Sequence, residues 1–132
     1  MTERNIEIME VIVDKMAEGK NLADALKDVY VKRNVAVPFD FVDLDIGVDK
    51  LGMSKRSTYA LLRGRLNTLM DVLRYCETKK ITTVNMLGVN AGIEIFETIL
   101  NYLWSKMSVS ERTDFLIDTV ERNSGNIRAE IM

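Results

Sequence analysis

The sequence predicts an all-α fold, a compact multi-helix domain, on two observations: apolar residues recur at helical spacing along most of the chain, and small polar residues stand where helices would start. At 132 residues, with 47% of them apolar and 29% charged, the chain has enough Leu, Ile, Val, Met and Phe for one core, which rules out global disorder.

Ile6, Met9, Ile12, Val13 and Met16 fall on one side of a 3.6-residue repeat, which predicts an amphipathic helix ending around Gly19. Leu22, Ala25, Leu26 and Val29 form a second stripe, with Asn21 as N-cap and Asn34 near the far end, and the two helices are expected to pair as a hairpin. From Val35 to Asp49 the pattern breaks. Pro38 bars a helix interior, and Phe39, Phe41, Leu44 and Ile46 interleave imperfectly with Asp40, Asp43 and Asp45, as in an irregular linker. These acids lack the Gly and closing Glu of a calcium loop, so no metal site is expected. Residues 1–43 thus read as a helical hairpin with its linker.

From Leu51 the pattern becomes short helix, turn, short helix. Ser54 caps a helix over 55–63, and Thr68 with Asp71 three residues later starts another over 69–75, with Gly64 between them. A third short helix is expected between Thr78 and Val84, weakened by the β-branched run Ile81, Thr82, Thr83, Val84. A longer helix over 91–105 turns Ile95, Ile99, Leu100 and Leu103 inward. Ser108 with Glu111 caps a last helix carrying Phe115, Leu116 and Val120, and the tail from Asn123 is expected to fray. Met86-Leu87-Gly88-Val89-Asn90-Ala91 fits the turn of a helix-hairpin-helix, where a glycine lets the next helix's first amides approach a phosphate oxygen. A glycine ending a helix in the left-handed conformation fits the same residues.

Charge is unevenly distributed. Residues 1–50 hold 7 Lys and Arg against 11 Asp and Glu, residues 51–80 hold 7 against 2, and residues 81–132 hold 4 against 7. The local nets are -4, +5 and -3. Only the central block suits a phosphate-facing surface, and a solvated helix face has the same composition. The chain has no His and one cysteine, Cys76, so Ser-His-Asp triads, Cys-His dyads, zinc centres and internal disulfides are excluded. No Gly-rich phosphate loop followed by Lys and Ser or Thr occurs, and no cofactor is expected. The N-terminus has no secretory pattern and no window approaches about 18 unbroken apolar residues, so a cytoplasmic chain without a membrane partner is expected.

The segment Leu51-Gly52-Met53-Ser54-Lys55-Arg56-Ser57-Thr58-Tyr59-Ala60-Leu61 resembles the L-x-L-S-x-R-S-x-N-x-L opening of the C-terminal domain of the bacterial RNA polymerase alpha subunit. Leu66-Asn67-Thr68, with Leu69 and Leu73, is similar to that domain's I-x-T-x-x-x-L helix. Leu87-Gly88-Val89-Asn90-Ala91-Gly92-Ile93-Glu94-Ile95 is similar to its N-L-G-x-K-S-x-x-E-I segment. Residues 44–105 are covered, with one extra residue needed between Leu73 and Leu87; residues 106–132 form a C-terminal helix and tail outside the match.

The resemblance implies a helix-hairpin-helix-like core, flanked by the N-terminal hairpin and the C-terminal helix, that docks on the DNA minor groove and offers surfaces to transcription activators. Carried over by position, Arg56 matches the arginine that enters an A·T-rich groove, Gly88 the glycine whose backbone lies near phosphate, and Glu94 a glutamate of the following helix, an expected protein contact. Tyr59, Asn90 and Ala91 depart from the family's Asn, Lys and Ser, which removes contacts and one phosphate-binding charge. Lys55 and Arg63, with Arg65, Lys79 and Lys80, supply neighbouring cations.

The function expected is therefore a DNA-binding, transcription-associated regulator rather than an enzyme. The alternative is an adaptor or inhibitor acting on RNA polymerase or a transcription factor without DNA. That alternative expects an exposed apolar patch with Trp104, Tyr102 and Phe96 as anchors. Residues 6, 9, 13 and 16 also fit the seam spacing of a homodimer.

Overall fold

The computed structural model describes residues 2–31, 44–79, 81–84 and 88–131. Six α-helices appear among them: α1 (Glu3–Ala17), α2 (Leu22–Val29), α3 (Lys55–Arg63), α4 (Leu69–Thr78), α5 (Val89–Lys106) and α6 (Val109–Arg122). Short 3-10 turns cover Val48–Lys50 and Ile81–Thr83. The protein is all-α, and the described residues form only isolated β-bridges. The chain divides into two compact units: a terminal unit of Met1–Ala36 with Trp104–Met132, and a central unit of Val37–Leu103.

In the terminal unit, α1 packs on both α2 and α6. At eight residues α2 is too short to persist alone, so its buried Leu22, Ala25, Leu26 and Val29 hold it by packing. Asn21 caps it by accepting from the Asp24 N–H at 2.9 Å. On α1 the structure corrects the expected inner stripe: the buried residues are Asn5, Ile8 and Ile12, while Ile6 and Val13 are 44% and 45% exposed. Apolar residues cover more than half of this helix's circumference, so spacing fits two adjacent stripes, and the neighbours α2 and α6 select one.

The C-terminal tail is not frayed. Val31 N–H donates to the Asn126 carbonyl at 3.0 Å, Arg128 N–H to the Val29 carbonyl at 2.8 Å, and Arg128 Nε to the Lys27 carbonyl at 2.9 Å. Asn123 is buried and its side-chain amide donates to the Thr119 carbonyl. The strap's backbone groups thereby gain partners that an unstructured end would find only in water.

In the central unit, Leu69 and Met70 at the start of α4 donate their N–H groups to the carbonyls of Ile46 and Leu44, at 2.9 and 2.7 Å. Thr68 and Asp71 form a full capping box there, and α4 runs on to Thr78, past the expected end at 75. After it comes the 3-10 turn over Ile81–Thr83 rather than an α-helix, in keeping with the low helix propensity of a β-branched run. Buried Leu61, Leu69, Val72, Ile95, Ile99 and Leu100 belong to this unit. The readings made for Asn34, Val35, Pro38, Phe39, Asp40, Phe41, Asp43, Lys80, Met86 and Leu87 lie outside the described residues. No helix among the described residues is long and apolar enough to cross a membrane.

Candidate nucleic-acid interface

Ser54 starts α3 by accepting from the Ser57 N–H at 3.3 Å. Four of the nine residues that follow, Ser57, Thr58, Ala60 and Leu61, are buried. That leaves Lys55, Arg56, Tyr59, Leu62 and Arg63 on one solvent face, at spacings of three, four and seven residues that bring side chains together on a helix. Tyr59 is 54% exposed. None of Lys55, Arg56 and Arg63 makes an ion pair among the described residues.

The start of α5 meets the start of α3 at an open cleft of about 350 Å³. Its lining comes from two segments: Ser54, Arg56 and Ser57 on one side, and Gly88, Val89, Asn90, Ala91 and Glu94 on the other. Gly92 N–H donates to the Gly88 carbonyl at 3.0 Å and opens the helical ladder. The amides of Val89, Asn90 and Ala91 belong to the first turn, where no intrahelical carbonyl is in reach and the helix dipole is positive. A Cβ on Gly88 would stand 3.9 Å from Arg56 Nη2, so the guanidinium lies beside this helix start.

Glu94 ties the two segments together. Its Oε1 accepts from Ser54 Oγ at 2.8 Å and from Ser57 Oγ. The Ser57 hydroxyl, then that of Ser54, holds the Glu94 carboxyl below the usual carboxylate range. The contact fixes the two hydroxyls against the carboxylate. Placed at the first turn of α3, the carboxylate also offsets that helix's positive end.

Of the residues singled out from the sequence, Arg56, Gly88, Asn90, Ala91 and Glu94 come together in the cleft. Lys55, Tyr59 and Arg63 do not line it and stand on the outer face of α3. The alternative reading of Gly88 as the end of a preceding helix turns on residues 85–87, which lie outside the described residues. Glu94, expected as a protein contact, bonds within its own unit. Ser57 and Val89 as lining residues, and Ser54 beyond its capping role, were not foreseen, and no local signal links a serine pair to an acid about forty residues away.

The aromatic anchors of the alternative reading are not exposed. Trp104 meets Phe115 edge to face at 6.1 Å with the Arg112 guanidinium 4.8 Å from its ring, and Phe96 and Tyr102 are partly buried. Among the described residues no group of three metal-ligating side chains forms, and Asp45 is exposed. No protein-family model, curated protein or solved structure matches this chain.

Proposed function

We propose that this protein binds duplex DNA through its central unit, with a backbone phosphate held at the start of α5 and Arg56 directed at the minor groove. The observation that carries the reading is the meeting of the 54–57 and 88–94 segments around one cleft lined by Arg56 and by the first-turn residues of α5, with the guanidinium beside Gly88. A guanidinium beside a helix start suits a singly charged phosphodiester oxygen. These are also the segments whose wording resembles the alpha-subunit domain, and that resemblance supplies the transcriptional context and the A·T-rich preference.

The adjoining α3 face supports the same reading. Lys55 and Arg63 extend the positive surface along the helix, and Tyr59 offers a ring edge and a hydroxyl to a sugar or phosphate. With Asn90 where the resembled family has Lys, charge is lower, so both the affinity and the steepness of its salt dependence should be reduced. A helix-hairpin-helix core is part of this proposal.

The test is fluorescence anisotropy of a labelled A·T-rich duplex at two salt concentrations, with wild type and Arg56→Ala. Binding that weakens with salt and is largely lost in Arg56→Ala supports the reading. Absence of binding at low salt, or binding indifferent to Arg56, overturns it. The second reading, an adaptor that contacts RNA polymerase or a transcription factor, is favoured by the half-exposed Ile6 and Val13 on α1.

A further inference from the structure

The turn that ends α3 contains a residue its own backbone disfavours. Arg65 N–H donates to the Leu62 carbonyl at 3.0 Å and Leu66 N–H to the Leu61 carbonyl at 2.9 Å, the paired bonds of a Schellman ending. In that ending the residue after the cap is left-handed, a place usually filled by glycine, and here it is Arg65 at φ 62°. It is the only non-glycine with positive φ among the described residues.

A glycine is present, but one position early. Gly64 has an ordinary negative φ of -80°, so the turn does not need it for conformation. It is needed for space: a Cβ there would come within 2.7 Å of Val84 Cγ1. Packing against Val84 thus accounts for Gly64 and leaves the left-handed position to an arginine. A bulky L-residue there costs stability that glycine or asparagine would spare. Within its own unit Arg65 returns nothing visible to offset that cost. Its side chain is exposed and makes no ion pair or side-chain hydrogen bond among the described residues.

The geometry points to Arg65 as a further nucleic-acid contact, a second backbone anchor at the far end of α3 from Arg56, retained despite its strained backbone because its charge is used in binding. This rests on the DNA-binding reading above and adds a residue to it. Along α3, the step from Arg56 to Arg63 is roughly 10 Å at the helical rise, about three nucleotides of one strand. Lys55 and Arg56 at one end, with Arg63 and Arg65 at the other, can therefore engage separate phosphates, which one cleft could not do.

The experiment combines stability and binding on the full chain. Arg65→Gly should raise the urea midpoint, because the strain is relieved, while weakening binding to an A·T-rich duplex about three- to tenfold and lowering the salt slope by about one. Arg65→Lys keeps the charge and the strain, and should retain most of the affinity. If wild type binds and loses affinity with Arg56→Ala, yet Arg65→Gly binds like wild type, the role of Arg65 is refuted and the DNA reading stands. If Arg65→Lys binds as weakly as Arg65→Gly, charge is not what the position contributes, and the proposal also falls. If wild type does not bind the duplex, both readings fail together.

Discussion

Replacing Glu94 by Gln should loosen the join between the starts of α3 and α5. The carboxylate accepts from the hydroxyls of Ser54 and Ser57, and a hydrogen bond to a charged group contributes about 1.5–3 kcal/mol when dry. This site is partly open to water, which cuts each to about 0.5–1 kcal/mol, and the amide oxygen of Gln can still accept one of the two. The net loss at neutral pH is then about 1 kcal/mol, a factor of about five in the folding equilibrium. With a urea slope of about 1–2 kcal/mol/M, the midpoint should fall by about 0.5–1 M.

The same bonds set the pH dependence. Because folding lowers the pKa of Glu94, its contribution is complete above the ordinary carboxylate range and is lost as pH falls through the lowered value. Gln does not titrate. The gap between wild type and variant, followed by circular dichroism in urea, should therefore narrow between about pH 7 and about pH 3. A gap that is absent at neutral pH, or unchanged in acid, refutes the account of Glu94 as a charged clasp.

Other substitutions test the packing. Ile12→Ala should cost about 2–4 kcal/mol in chemical denaturation, whereas Val13→Ala, one residue on and 45% exposed, should stay within about 0.5 kcal/mol. Tyr30 is buried with its pKa pushed up to about 12 by burial, and its hydroxyl has no hydrogen-bond partner among the described residues, so Tyr30→Phe should leave the melting temperature unchanged or raise it slightly. Gly64→Ala forces a methyl against Val84 and should cost about 1–3 kcal/mol by the same urea assay.

Asp28 offers a second pH-sensitive contact, in the terminal unit. Its carboxyl is lowered chiefly by the hydrogen bond from Lys20, with Lys15 adding attraction from 3.7 Å. The contact is largely solvated, so Asp28→Asn should shift the acid limb of the stability curve far less than the loss of a core side chain does.

Helix starts were legible in the order of residues because a cap is a local device. Asn21, Ser54, Thr68 and Ser108 each sit within three residues of the amide they satisfy, and all four cap as their neighbours imply. The apolar stripes of α2, α5 and α6 were equally plain, since each of these helices has a single face rich in large hydrophobics. α1 has apolar residues on two adjacent faces, so its buried side depended on where α2 and α6 came to rest. The tail looked polar enough to fray because its partners, the carbonyls of Lys27 and Val29, lie about a hundred residues away.

The candidate site divides in the same way. Gly88 stood out in the chain through its neighbouring residues and Arg56 through the resemblance of its segment to the alpha-subunit domain, and the basic character of the central block was equally plain. That the serines of one helix start would meet Glu94 of another, or that a left-handed turn would fall on Arg65 because Val84 needs Gly64, could not be read from spacing. Such contacts join residues far apart in the chain, and what brings them together is the packing of helices, a sum over many weak non-local contacts that no single segment encodes.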